Sequence, residues 1–234
     1  MLSYDTPVPI AGNSAPTSIN IQPNMTNGNA QTTTSAAAAA AMAGRTADTE
    51  KVHHIWLVTG PAGVGKSSVA AFLAKSIGMP YIEGDDFHSA ANVEKMANGT
   101  PLTDADRWDW LTALREESLR QIRGGSSGVV LTCSALKQKY RDVIRVAGYF
   151  DRSLLIHFIY LSAPESLLLA RVEARQDHYM GANMVHSQLE ALEPPGPEES
   201  DVVSIDVSGT LEEVQREALS RVLSIMTDEP NGRL

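Results

Sequence analysis

The octapeptide GPAGVGKS, Gly60 to Ser67, sits between an apolar run, HIWLV at 54–58, and KSSVAAFLAKSI at 66–77, where apolar residues recur at helical spacing. A strand, a glycine-rich turn and a helix in that order match the phosphate-loop pattern together with the context that gives it meaning. Gly60, Gly63 and Gly65 let the backbone wrap with its N–H groups pointing inward, a path that side chains would obstruct. Pro61, Ala62 and Val64 complete the loop, and Ser68 follows in the first helical turn. The helix adds its positive end to the anion site. Lys66 is placed to reach the β- and γ-phosphates of a nucleoside triphosphate, and the Ser67 hydroxyl to ligate Mg²⁺. The loop alone does not name a reaction, because switches, motors and small-molecule kinases share it.

The chain beyond the loop keeps alternating. MPYIE (79–83), GVVLTC (128–133), LLIHFIYL (154–161) and DVVSIDV (201–207) read as further strands. Asp104 to Arg123 reads as a helix capped by Thr103, with Trp108, Leu111 and Leu114 on one face, and SALKQKYRDVIRVA reads as another. Ser162 with Glu165, and Thr210 with Glu213, have the spacing of capping boxes. Strands separated by helices imply a parallel sheet with right-handed crossovers, hence one α/β domain over residues 51–227. The alternation lapses between Arg175 and Pro197, which predicts a mobile lid at about 175–197. Residues 228–234 are expected to be a flexible C-terminus.

Residues 1–50 differ in composition, being Asn, Thr, Ser, Gly and Pro with an alanine run. They have too little large apolar surface to offset the entropy of ordering, so a disordered low-complexity tail is expected. Arg45 is their only basic residue, against Asp5, Asp48 and Glu50, which argues against a transit peptide. The net charge of −9 argues against nucleic acid or an anionic membrane as partner. No apolar run is long enough to span a bilayer, and the single cysteine, Cys133, excludes an intramolecular disulfide. Cytoplasm is the expected compartment.

Two absences narrow the chemistry. No Asn-Lys-x-Asp guanine signature is present, and no apolar strand ends in the usual magnesium-orienting Asp, since VVLTC runs into Ser134. A carboxylate must come from elsewhere. The second strand ends at Glu83, Gly84 and Asp85, and carboxyl ends of parallel strands face the ligand crevice. Asp85 is therefore the candidate for magnesium positioning and for general base. Capping the helix over 89–97 is the plainer role for Asp86, and the alternative one for Asp85.

Three blocks, GDDFHSAANVEKMANGTPLTDADRWDWL, CSALKQKYRD and RVEARQDHYM…SQLEALEPP, resemble the signature blocks of the short phosphate-loop gluconokinases, in that family's order and spacing, over about residues 52–226. The resemblance implies a three-layer P-loop kinase fold like that of nucleoside monophosphate kinases, with a central parallel sheet of about five strands. It implies ATP-dependent phosphorylation of the 6-hydroxyl of D-gluconate with Mg²⁺, giving 6-phospho-D-gluconate for the pentose phosphate pathway, and a possible homodimer.

Residue chemistry accords with that reaction. Asp85 would take the hydroxyl proton. Arg107 can grip a carboxylate with two parallel bonds, unless it pairs with Asp104 or Asp106. Lys95, Lys137, His88, Ser134 and Gln188 suit a polyol acid, and the resemblance adds Arg141 and His178 to the acceptor side. Arg171 and Arg175, four apart on one helix face, lead into the lid and are candidates to stabilise the transferring phosphoryl group. His53, His54 and His157 read as structural. Ser89 stands where the family has proline, which loosens the turn, and Asp109 adds negative charge near Arg107. Another small-molecule P-loop kinase, of shikimate or nucleotide type, and a non-catalytic nucleotide-binding module are the alternatives.

Overall fold

The computed structural model describes residues 51–149, 151–173 and 182–228. In chain order these form β1 (His53–Thr59), α1 (Lys66–Ile77), β2 (Tyr81–Ile82), a 3₁₀ turn (Gly84–Phe87), α2 (Ala90–Ala97), α3 (Asp104–Arg123), β3 (Gly128–Thr132), α4 (Gln138–Tyr149), β4 (Leu154–Ser162), α5 (Glu165–Glu173), α6 (Ala182–Glu190), β5 (Val202–Asp206) and α7 (Leu211–Asp228). The sheet runs β2-β3-β1-β4-β5, and every neighbouring pair is parallel.

Successive residues of β1 face opposite cores, as the two-residue period of a strand requires. Trp56 and Val58 join Ile159, Leu161, Leu73 of α1 and Ala218 of α7. Ile55 and Leu57 join Leu131, Phe158, Leu114 of α3 and Ile144 of α4. A sheet buried on both faces explains why these strands read as nearly unbroken apolar runs. The connections out of β1 go to one side, towards β2 and β3, and β4 and β5 are added on the other. That reversal opens a crevice at the carboxyl end of β1, where ligands bind in open α/β sheets.

Helix starts follow local chemistry where the partners are three residues apart. The Thr103 hydroxyl accepts from Asp106 N–H and the Asp106 carboxylate accepts from Thr103 N–H, a complete capping box on α3. Thr210 and Glu213 do the same for α7. Ser162 departs from expectation. It is the last residue of β4, so it is held in the sheet rather than at a helix start, and its hydroxyl donates to the Ile205 carbonyl of β5. On α3 the buried stripe is Trp110, Leu111, Leu114, Ser118 and Ile122, and Trp108 is exposed.

A histidine pair lies in the apolar interior. His54 Nδ1 of β1 is 3.2 Å from His157 Nε2 of β4, and the His157 ring stacks on Trp56 at 4.1 Å. Burial, reinforced by neighbouring His54, pushes His157 down to about 4.

Candidate active site

Gly60 leaves β1 with φ 137°, and a Cβ there would stand 2.5 Å from the Leu161 carbonyl oxygen of β4. Only glycine lets the loop leave the sheet this way. Gly65, φ 93°, is the N-cap of α1 and makes no side-chain cap bond, so the first-turn N–H groups meet no capping side chain of their own. Lys66 Nζ donates to the Gly60 and Pro61 carbonyls at 3.0 and 3.1 Å, which lays the ammonium across the loop. The Ser134 carbonyl accepts from both the Thr59 hydroxyl at 2.6 Å and the Gly60 N–H at 3.4 Å, tying the start of the loop to the exit of β3. Ala62 N–H donates to Gln188 Oε1 of α6 at 2.7 Å. Just past α6, Glu193 N–H donates to the Leu136 carbonyl and the Glu193 carboxylate accepts from Gln138 N–H, at 2.8 and 2.9 Å.

The exit of β2 is built against the exit of β3. Gly84 N–H donates to Thr132 Oγ1 at 2.9 Å, and the Gly84 carbonyl accepts from Trp110 Nε1 at 2.7 Å. A Cβ on Gly84 would stand 2.0 Å from the Thr132 carbonyl oxygen, so nothing larger fits. Just before it, the Glu83 carboxylate accepts from the Thr132 and Tyr81 hydroxyls. Burial works to raise this carboxyl, but those hydrogen bonds outweigh it and hold it below the ordinary range. Glycines that crowd out side chains, an uncapped helix start and a hydroxyl beside a carboxylate are hard oxygen and N–H groups. They fit a nucleoside triphosphate with Mg²⁺.

Asp85 and Asp86 occupy the 3₁₀ turn, and neither caps α2. Its cap is Ser89, whose hydroxyl accepts from Asn92 N–H at 3.2 Å. The serine that replaces proline thus ends the turn with a cap. The side chain of Asp85 is half exposed and lines the cavity. His88 is buried, stacks on Trp110 at 4.1 Å and places Nε2 3.9 Å from Asp85 Oδ1. Its Nδ1 has no hydrogen-bond partner among the described residues. Burial lowers its proton affinity, Asp85 opposes that and Arg107 adds to it; the net shift is downward, so the ring is neutral at neutral pH.

One cavity of about 110 Å³ is lined by loop residues Ala62, Gly63, Gly65, Lys66, Ser67 and Ser68 together with Glu83, Asp85, His88, Arg107, Ser134 and Gln188. Arg107 donates to the Leu102 carbonyl at 2.5 Å and lies over the Tyr140 ring at 5.4 Å. It does not pair with the acids beside it. Asp104 is taken by Lys139 and Tyr140, and Asp106 by Lys95 and Thr103. Asp109 is exposed on α3.

Several expected site residues lie elsewhere. Arg141 is 1% exposed, forked onto Glu199 at 2.7 and 2.6 Å, with the Ala135 and Glu193 carbonyls on its third nitrogen. It is a core ion pair rather than an acceptor ligand, because four of its five N–H donors are bonded in the interior and the side chain is buried. Lys95 is held 2.6 Å from Asp106, and Lys137 lies 4.0 Å from Asp104 and over Tyr140; neither lines the cavity. Arg171 donates to the Val207 carbonyl at 2.7 Å, and its neighbour Val172 lines the cavity instead. Arg175 and His178 lie outside the described residues, as does the segment 175–181 of the expected lid. Sequence reasoning missed Glu83 and Thr132. The signal was an acid at the carboxyl end of β2, overshadowed by Asp85 two positions on.

A five-stranded parallel α/β domain, with its phosphate loop after β1 and a polar cavity shared with the exits of β2 and β3, defines a phosphate-loop kinase. A family profile described as an AAA domain matches residues 55–195. A probable gluconokinase of Schizosaccharomyces pombe is 43% identical over 75% of this chain and 91% of its own. The thermoresistant gluconokinase of Escherichia coli is 37% identical over 69% of this chain and 89% of its own. The crystal structure of a gluconokinase from Sinorhizobium meliloti superposes with a TM-score of 0.64 at 38% identity, covering 76% of this chain and 97% of that one. The chain belongs to the gluconokinase family.

Proposed function

We propose that this chain transfers the γ-phosphoryl group of ATP to the 6-hydroxyl of D-gluconate, giving 6-phospho-D-gluconate and ADP. The observation that carries the reading is that Lys66 and Ser67 line the same cavity as Asp85, His88 and Arg107. Donor-side and acceptor-side groups therefore share one cavity, as a direct in-line transfer needs. The relatives named gluconokinase support the choice of acceptor.

Lys66 and the N–H groups opening α1 hold the phosphates, and Ser67 holds the cation. Mg²⁺, when bound with ATP, supplies charge neutralisation on the phosphate oxygens. Asp85, a carboxylate within the cavity, receives the acceptor hydroxyl proton as the new O–P bond forms and ADP leaves. Neutral His88 can both donate to and accept from sugar hydroxyls. Arg107, with no acidic partner among the described residues, is left to meet the acceptor carboxylate. Arg175 is the proposed lid cation for the transferring group, and the reaction is placed in the cytoplasm.

The test is a coupled assay of ADP release over D-gluconate, its epimers, shikimate and nucleoside monophosphates. Turnover with gluconate is expected. Robust turnover of another acceptor with none on gluconate overturns the reading.

A further inference from the structure

We infer that Tyr140 is a positioning residue for acceptor recognition: its hydroxyl stands between Arg107 and Asp104 and keeps that acid off the guanidinium that meets the acceptor carboxylate. The inference rests on the reading of Arg107 as the group that receives this carboxylate.

Asp104 and Arg107 are three apart in the first turns of α3, a spacing that brings an acid and an arginine together on one helix face. Left to themselves they would pair, and a paired arginine has less charge to offer a ligand. Tyr140 of α4 comes between them. It is 3% exposed, part of the core that α3 and α4 form with the sheet. Its single hydroxyl proton goes to Asp104 Oδ1, so the oxygen turns a lone pair to Arg107 Nη1, 3.5 Å away. The guanidinium also lies over the Tyr140 ring at 5.4 Å, an attraction that holds a cation without cancelling its charge. Lys139 takes the other oxygen of Asp104, and Lys137 stands 4.0 Å from Oδ1. Asp104 is thus occupied on its α4 side.

The arginine is tethered at one nitrogen only. Among the described residues its hydrogen bonds all come from Nη1, to the Leu102 carbonyl at 2.5 Å and to Tyr140. The Nε and Nη2 edge is left for a bidentate carboxylate, and Arg107 lines the same cavity as Lys66 and Asp85. One phenol therefore fixes the guanidinium and keeps its charge available.

The experiment uses the full chain, with steady-state kinetics on D-gluconate and titration of the fluorescent nucleotide mant-ADP. Tyr140→Phe keeps the ring beneath Arg107 and removes the oxygen between Arg107 and Asp104. The KM for gluconate is expected to rise about three- to fivefold, the worth of a half-exposed ion pair competing for the guanidinium. Both kcat and mant-ADP affinity should stay within about twofold, as for a change in acceptor binding alone. In an Asp104→Asn background the same substitution should move KM by less than about 1.5-fold, because no acid remains to be held off. A crystal structure of Tyr140→Phe should place Asp104 within about 4 Å of the Arg107 guanidinium. An unchanged KM overturns the inference. So does a rise that persists in full in the Asp104→Asn background, or an equal loss in kcat and nucleotide binding, which would mark Tyr140 as support for the core alone. Asp104→Asn by itself should leave KM at or below that of wild type. A rise there overturns the inference too, and this arm stands even if Tyr140→Phe does not fold by circular dichroism. The underlying reading fails separately, if Arg107→Gln keeps the wild-type KM for gluconate.

Discussion

Arg141 and Glu199 form a two-bond fork inside the protein, with 1% and 3% of their side chains exposed, joining α4 to the segment before β5. Arg145 reaches the same carboxylate at 2.7 Å and continues to Asp201. The Arg141 hydrogen bonds lead in holding Glu199 down at about 2, against burial and with help from Arg145.

Removing one partner strands the other. Arg141→Met should lower unfolding stability by about 3 kcal/mol, because buried Glu199 loses its two-bond partner and keeps only Arg145 to offset its charge. The double variant Arg141→Met with Glu199→Leu should recover much of that loss. Glu199 has a depressed folded-state value, so its contribution is complete above its unfolded value of about 4.3 and fades as pH falls towards 2. Urea unfolding at pH 7 and pH 3 checks both statements, and a single-variant loss below about 1 kcal/mol contradicts the first.

The His157 imidazole should act over a different, higher pH window. Above pH 6.5 neither the folded nor the unfolded state binds its proton. Between about 6.5 and 4 the unfolded chain takes the proton that the buried ring refuses, so stability falls as pH falls. A loss of about 2–3 kcal/mol across that span is expected. His157→Phe keeps a ring against Trp56 and should flatten the slope of urea midpoint against pH between 6.5 and 4.5. An unchanged slope shows that another group sets it.

Gly84→Ala should be the most damaging small change near the site. Its Cβ meets the Thr132 carbonyl at 2.0 Å, backbone against backbone, with no flexible side chain to yield. A loss of about 3 kcal/mol or more is expected, with β2 and β3 driven apart and activity abolished. Gly65→Ala meets nothing within 4 Å and suffers only the strain of its positive φ, about 1–2 kcal/mol. Thermal melts of the two variants side by side read the difference.

Asp85→Asn should leave mant-ADP binding with Mg²⁺ within about twofold and lower kcat on gluconate by about 10²–10⁴-fold, the range for losing a positioned base. Lys66→Ala should weaken both, since its ammonium lies across the loop that holds the phosphates. Undiminished transfer by Asp85→Asn would remove that residue from the proton-accepting role.

What could be read in the sequence is what neighbours along the chain decide. The phosphate loop, the Thr103 and Thr210 caps and the bounds of α3 each depend on residues a turn or so apart. Ser162 misled because its spacing to Glu165 was right while pairing with β5, more than forty residues on, keeps it in the strand. Arg141 misled for the same reason: its basic charge fitted an anionic acceptor, but Glu199 lies 58 residues away and nothing local reveals the pair. Glu83 was hidden likewise, since its meaning depends on Thr132, 49 residues later. Trp110 and Trp108 are two positions apart, and only the packing of α3 on the sheet decides which one is buried.

The span from Gln188 to Glu193 touches the phosphate loop at Ala62 and the β3–α4 connection at Leu136 and Gln138. One short stretch of chain is thus fastened both to the phosphate loop and to the segment that follows Ser134 of the cavity. Thermodynamic reciprocity then binds the two ligands to each other. Whatever factor ATP puts on the affinity for gluconate through that stretch, gluconate must put on the affinity for ATP.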